Sequence, residues 1–192
     1  AEPKWYSETA AFGQPFFLYD PELLPLMESS VVTYETRIQE GFKQLLENRE
    51  VLDEYGWRNF GDWATTWDPN GWGNTEYDMA RAMFLQFART GDLAYFHFAE
   101  HAARHWMDVD IIWASRDTHW LGGGIEHSSG HRDKSTDAGH TWLQGLVDYY
   151  LLTGDRRSLE SARLIGDWFA RLAFERPSGG PRLHSRPGAR RP

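Results

Sequence analysis

The sequence predicts an all-α fold, an (α/α) toroid of helical hairpins that is best described as an incomplete (α/α)6 barrel. Two stretches are apolar on every side and suit buried inner helices, whereas two others are amphipathic and suit an outer layer. The inner helices are predicted near residues 75–89 and 141–152, and the outer helices near 93–108 and 157–174. A Thr-Gly-Asp turn joins each pair, so the unit recurs after 153 − 90 = 63 residues. Repeated hairpins of this kind form stacked or closed helical arrays.

The composition restricts the classes of partner. The chain has 192 residues, a net charge of −8 and no cysteine, so disulfides and thiolate metal sites are excluded. Residues 176–192 contain five arginines and no acid, so the rest carries −8 − 5 = −13. An acidic surface argues against binding to nucleic acids or membranes. Ten tryptophans include candidate platforms for sugar rings. The sequence does not distinguish between cytoplasmic, periplasmic and secreted locations.

Three regions flank or precede the hairpins. Residues 1–20 are rich in aromatic residues without a regular period and are expected to form an ordered lead-in segment. Residues 20–22 (Asp-Pro-Glu) have the N-cap, proline and acid of a helix start. A helix with an apolar stripe is then predicted from Ser30 to Glu47. The toroid domain is assigned to residues 21–175. Residues 176–192, rich in Gly, Pro and Arg, are predicted to be a disordered tail.

The turns and faces of the hairpins follow local rules. Gly91 suits the left-handed end of one helix, and Asp92 suits the N-cap of the next. His97, His101 and His105 share one face of the first amphipathic helix. That spacing is compatible with a metal site, but a solvated or half-buried helix face is the favoured interpretation.

Two long loops carry most residues with a chemical role. Residues 57–74 lead into the first inner helix, and residues 110–140 lead into the second. Both loops are expected to meet at one mouth of the toroid, over helix N-terminal ends whose free N–H groups favour carboxylates. Aromatic platforms and titratable groups at one mouth predict a carbohydrate-active site. The candidates are Trp57, Arg58, Trp63, Trp67, Trp72, Asn74, Glu76, Tyr77, Asp78, His119, Trp120, His127, His131 and His140.

Several motifs resemble one known family. They are residues 56–63 (GWRNFGDW), 72–78 (WGNTEYD), 103–110 (ARHWMDVD), 127–131 (HSSGH) and 139–146 (GHTWLQGL). Over roughly residues 20–175 the chain resembles the central (α/α) barrel of the PcRGLX/YetA-like proteins, exo-acting rhamnogalacturonan lyases of pectin breakdown. The resemblance implies a polysaccharide lyase with an acidic oligo- or polysaccharide substrate, and additional β-rich domains in the full-length protein. The chain is expected to hold about half of such a barrel.

A lyase of this kind must neutralise the galacturonate carboxylate, remove the C5 proton and protonate the leaving O4. His127, His131 and His140 are the candidate bases or acids, with Tyr77 as an alternative acid. The carboxylate would be held by Arg58 and Asn74. The other substrate-binding candidates are Glu76, Trp57, Trp63, Trp72, Trp120 and His119.

Structural alternatives stand beside three of these assignments. Arg58 is also placed to pair with Asp62 in its loop, Tyr77 to pack in the core, and His140 to cap its helix. Each alternative predicts a contact within the protein in place of a contact with substrate.

Two other functions stay open. One is a glycoside hydrolase with a pair of carboxylates, and the other is a non-catalytic helical-repeat scaffold. The carboxylate candidates are Asp62, Asp68, Glu76, Asp78 and Glu126.

The favoured prediction has no metal and no other cofactor. A metal variant would pair His127 and His131 with Glu126, Asp133 or His119.

Overall fold

Six α-helices, joined by turns and two long loops, make up the part of the chain that the structure describes. The computed structural model describes residues 1–13, 15–64, 71–73, 76–125, 131 and 136–174. The helices are α1 (Pro3–Glu8), α2 (Ser29–Val51), α3 (Met79–Thr90), α4 (Leu93–His105), α5 (Gln144–Thr153) and α6 (Arg156–Phe174). Short 3-10 helices lie at Leu24–Leu26, Thr118–Trp120 and Ala138–His140, and a π-helical turn spans Trp106–Asp110.

The all-α prediction is confirmed, because the described residues form isolated β-bridges but no strand. Closure of the helices into a toroid stays a prediction. None of the described helices is both long and apolar enough to cross a lipid bilayer.

Two hairpins repeat the same construction. Helix α3 packs on α4, α5 packs on α6, and α3 lies beside α5. Gly91 and Gly154 end the first helix of each hairpin with φ of +74° and +77°, which glycine adopts without steric cost. Asp92 then accepts a hydrogen bond from the N–H of Ala94 at 2.8 Å, and Asp155 accepts the corresponding bond at 2.9 Å. The repeat predicted from the Thr-Gly-Asp turns is therefore a structural repeat.

The N-terminal segments pack onto these hairpins. Helix α1 lies against α3, and α2 docks on α4 through the ring of Phe42, stacked 4.1 Å from that of Tyr95. Residues 20–22 differ from the expectation. The Asp20 carboxylate accepts from the N–H of Glu22 at 2.9 Å, which starts a turn and a 3-10 helix and no α-helix.

Burial follows the predicted pattern of apolar and polar faces at many positions but departs from it at others. The expectation that the inner helices are buried on every side is wrong, because Ala82 of α3 is exposed and Leu151 of α5 is 64% exposed. Leu93, expected on the buried stripe of α4, is also exposed, since it is the first residue of the helix. The amphipathic pattern of α6 is confirmed by buried Ile165 and exposed Arg163.

Candidate functional site

The N-terminal ends of α3 and α5 meet at the carboxylate of Asp78. Its Oδ1 accepts a hydrogen bond from the backbone N–H of Arg81 at 3.2 Å, and its Oδ2 accepts one from Gly145 at 3.0 Å. Burial raises the pKa of Asp78 above its ordinary value, although these N–H groups oppose the rise. The sequence led us to expect that the helix ends would hold a substrate carboxylate. Instead, the protein's own carboxylate takes these two N–H groups.

The loops that precede α3 and α5 touch beside Asp78. His140 Nε2 lies 3.1 Å from Glu76 Oε1. Tyr77, next to Glu76, is 73% exposed and has a φ of +61°, a rare conformation for a bulky residue. Strained backbone of this kind clusters at functional sites. The structure thus brings together three predicted site residues, Glu76, Tyr77 and His140, which we call the mouth group.

Two structural alternatives fail at the mouth group. A core position for Tyr77 is wrong, because most of its side chain is exposed. The helix cap considered for His140 is formed by Asp78, whose carboxylate binds the first turns of both helices.

The predicted tryptophans divide into exposed and packed rings. The guanidinium carbon of Arg58 lies 5.2 Å from the ring centre of Trp57, which is 63% exposed. Trp63 and Trp72 are partly buried, and the Trp72 ring lies 5.7 Å from that of His131. Trp57 is therefore the most exposed of these three rings.

His119 and Trp120 lie next to α6. They form the 3-10 turn Thr118–Trp120, which lies against α6. The indole N–H of Trp168 donates to the carbonyl of His119 at 3.0 Å and fixes the turn there. Among the described residues, this turn is therefore joined by its tertiary hydrogen bond to α6 and not to the mouth group.

Three predicted site residues, Trp67, Asn74 and His127, lie outside the described residues. Their proposed roles stay predictions. The same holds for Asp68, Glu126 and Asp133, which the hydrolase and metal alternatives involve.

His131 belongs to a second group, the buried cluster of Asp62, His105, Asp110 and His131. All four side chains are shielded from solvent. Two short contacts end on Asp110, from His131 Nδ1 to Oδ1 at 2.7 Å and from His105 Nε2 to Oδ2 at 3.2 Å. Asp62 Oδ2 lies 3.7 Å from His105 Nε2 and 3.9 Å from His131 Nε2. The alternative for Arg58 was a salt bridge with Asp62 in its loop, but the ion-pair contacts found for this carboxylate are with His105 and His131.

Two local features bring the cluster together. Gly61, with a φ of +73°, lies against the backbone of α4, where a Cβ would stand 2.3 Å from the carbonyl of His101. Only glycine permits this approach, which places Asp62 beside His105, about one helical turn further along α4. The π-helical turn Trp106–Asp110 then carries its last residue to the side of His105, because a five-residue spacing is that of one π turn.

The charged groups of the cluster shift the pKa values of their neighbours. Burial alone would raise the pKa of Asp110, but the positive charge of the nearby His105 outweighs the effect of burial and holds the pKa below its ordinary value. Burial alone would lower the pKa of His105. The negative charge of Asp110 outweighs the effect of burial, so the pKa of His105 lies above its ordinary value. On their own, these residues therefore favour an imidazolium–carboxylate pair.

The role of His105 was missed at the level of sequence. A solvated or half-buried position is right for His97 and wrong for His105, which is completely buried. The 63-residue repeat contained a signal that His105 is buried. One repeat after His105 comes Trp168, which is a buried residue of α6. A titratable residue at a core position of a repeat indicates a special role.

Comparisons with known proteins assign no family to the chain. No protein-family model matches it, and no curated protein sequence matches it. Two groups with distinct chemistry remain to be explained. One is the mouth group, in which Tyr77 is exposed and Glu76 and His140 are partly buried, and the other is the buried cluster.

Proposed function

We propose that this protein is a polysaccharide lyase that cleaves rhamnogalacturonan by β-elimination at galacturonate. The observation that carries the proposal is the 3.1 Å contact of His140 Nε2 with Glu76 Oε1, beside the exposed Tyr77. The mouth group offers two titratable partners and a phenol, and the shared Asp78 anchors its segments to two helices. The motifs that contain these residues support a uronic acid polymer as the substrate.

The Glu76–His140 pair is the proposed base. It takes the proton from C5 of galacturonate, and the electron pair of the C5–H bond forms the C4=C5 double bond. The C4–O4 bond breaks, and Tyr77 gives its phenolic proton to O4. Tyr77 suits this step because its ring is exposed beside Glu76.

Arg58 and Trp57 are the proposed contacts for the sugar itself. A guanidinium binds carboxylates with paired hydrogen bonds, and neutralising the uronate carboxylate makes the C5 proton more acidic. The exposed ring of Trp57, which lies under this guanidinium, offers a face for a sugar ring.

His131 takes a different role in this proposal. Its side chain is shielded from solvent and lies 2.7 Å from Asp110, so it does not face a substrate at the mouth. His131→Ala is therefore expected to lower stability and to spare turnover per folded molecule. His127 remains the alternative base proposed from the sequence, because it lies in the Gly-rich loop that precedes α5.

The test is turnover of rhamnogalacturonan oligosaccharides by the purified chain, followed by the ultraviolet absorbance of the unsaturated uronate product. His140→Gln, Glu76→Gln and Tyr77→Phe are each expected to lower kcat by about 10²–10⁴-fold, as for other positioned acid–base groups. His97→Gln is the matched control, because His97 is exposed on α4. Helical circular dichroism should be the same in all four variants.

Three results would contradict the proposal. Near-normal kcat in all three mouth variants would reject the mouth group and make His127→Ala the next variant. Release of reducing ends without the unsaturated product would indicate a hydrolase. No turnover, together with no sugar binding in calorimetry, would favour the non-catalytic scaffold.

A further inference from the structure

We propose that Asp62, His105, Asp110 and His131 bind one divalent transition-metal ion, for which zinc is the best match. The inference is independent of the lyase proposal, because it rests on the buried cluster and on no residue of the mouth group.

The first support is a set of buried polar atoms that face one another. Among the described residues, none forms a hydrogen bond with His105 Nε2, Asp110 Oδ2 or His131 Nε2. Buried polar atoms are nearly always satisfied, and an exception calls for an explanation such as an ion. A cation between these three atoms would satisfy all of them at once.

The second support is the size of the cluster. Ligands held about 2.0–2.2 Å from a tetrahedral zinc ion stand about 3.3–3.6 Å from one another. The separations are 3.2 Å from His105 Nε2 to Asp110 Oδ2, 3.7 Å from His105 Nε2 to Asp62 Oδ2, and 3.9 Å from His131 Nε2 to Asp62 Oδ2. One ligand atom from each of the four residues lies within 4.8 Å of all the others. Small side-chain movements would close the set around one ion.

The third support is the chemistry of the donors. Two carboxylates balance the charge of a divalent ion, and two neutral imidazoles favour zinc and other transition metals over calcium or magnesium. His131 Nδ1 already binds Asp110 Oδ1, which leaves Nε2 directed at the cluster. Carboxylates commonly orient metal-binding histidines through the second ring nitrogen in this way.

A bound ion would join three separate parts of the chain. Asp62 follows Gly61 in the first loop, His105 precedes the π-helical turn that Asp110 ends, and His131 lies in the second loop. Because all four side chains are shielded from solvent, the ion would have a structural role. Its binding energy would stabilise the folded loops.

The experiment measures zinc binding by the full chain. After removal of metals with a chelator, the protein is titrated with Zn²⁺ in calorimetry and in thermal unfolding. We expect one equivalent to bind and to raise Tm. Asp110→Asn and His131→Gln preserve side-chain size and should weaken zinc binding by at least about 10–100-fold. His101→Gln, on an exposed residue one turn before His105, should bind zinc as the wild type does.

Substitution with Co²⁺ keeps the test decisive if a variant does not fold. Four-coordinate Co²⁺ with imidazole ligands absorbs visible light strongly, whereas hydrated Co²⁺ does not. The wild-type protein with bound Co²⁺ should therefore show the strong spectrum, and this result does not depend on any variant. The proposal would be overturned by a spectrum of hydrated Co²⁺, by less than one equivalent of bound zinc, or by equal losses in all three variants. A rise of Tm with Ca²⁺ and not with Zn²⁺ would also overturn it.

Discussion

The carboxylate of Asp148 lies buried on α5 against the guanidinium of Arg81 on α3, with Oδ2 and Nη1 2.7 Å apart. Arg81 also donates to the carbonyl of Phe12 at 2.8 Å. Burial raises the pKa of Asp148 from 3.8 to about 6, because desolvation and the nearby Asp78 outweigh the attraction of Arg81. This residue therefore binds its proton more tightly in the folded chain than in the unfolded one.

The stability of the protein should depend on pH through this residue. Between pH 3.8 and about 6 the folded state keeps a proton that the unfolded state loses, so this contribution to stability falls as pH rises. The loss amounts to about 3 kcal/mol at about 1.36 kcal/mol per pKa unit. Asp148→Asn removes this dependence.

Urea unfolding of the wild type and of Asp148→Asn, from about pH 4 to about pH 7, measures the effect. We expect the free energy of unfolding of the variant, relative to that of the wild type, to rise by about 2 kcal/mol over this range, since part of the effect is already lost at pH 4. A difference that does not change with pH would contradict the assignment.

At the scale of elements, α3 and α5 approach closely at Gly145. A Cβ at this position would stand 2.4 Å from Asp78 Oδ1 and 2.7 Å from the Cβ of Ala80. The carboxylate that caps both helices and the wall of α3 therefore leave no room for a side chain. The close approach also keeps Glu76 and His140 in contact, since both precede these helix ends by only a few residues.

Gly145→Ala is expected to destabilise the protein by about 1–3 kcal/mol, as overpacking of a core does. Gly166→Ala is the matched control, because it also lies inside a helix but has nothing within 4 Å of the added Cβ. The control should be neutral or stabilising by up to about 1 kcal/mol, since alanine is the better helix former. Thermal unfolding compares the two, and equal effects would show that the close contact at Gly145 does not matter.

At the scale of the whole molecule, Arg89 of α3 connects the N-terminal segments to the hairpins. Its guanidinium binds the Glu35 carboxylate of α2, the Gln86 side chain at 2.8 Å and the carbonyl of Phe17 at 2.9 Å. Arg89 and Glu35 are both buried. A second, smaller core of Phe42, Tyr95 and Phe98 supports the same attachment of α2.

Arg89→Met should lower the free energy of unfolding by about 3–5 kcal/mol, because it leaves the Glu35 carboxylate buried without its cation. The double variant Glu35→Gln with Arg89→Met should recover much of this loss, since no buried charge remains. Urea denaturation of the wild type, both single variants and the double variant gives the coupling between the residues. A double variant as unstable as the sum of the single variants would show that the two residues act independently.

Much of the fold was predictable because its signals are local. The Thr-Gly-Asp turns use a glycine with positive φ and an aspartate cap, and both belong to the adjoining residues. Helix α6 was predicted at residues 157–174 and lies at Arg156–Phe174, since its apolar period follows from the geometry of a single helix. The same reasoning put His140 in the loop before the second inner helix, whereas Glu76 and Tyr77, predicted in the first turn of the helix at 75–89, precede α3, which begins at Met79.

The sequence by itself thus determined the helices, the hairpin repeat and the loops that carry the polar residues. Only the tertiary structure decided which of those residues meet. Asp62, His105 and His131 are far apart in the chain, and they meet because Gly61 lies on the backbone of α4 and a π turn redirects Asp110. Hydrophobic periodicity describes one helix at a time and contains no information about such approaches between segments. His97 and His105 therefore look alike in sequence, although one is exposed and the other completely buried.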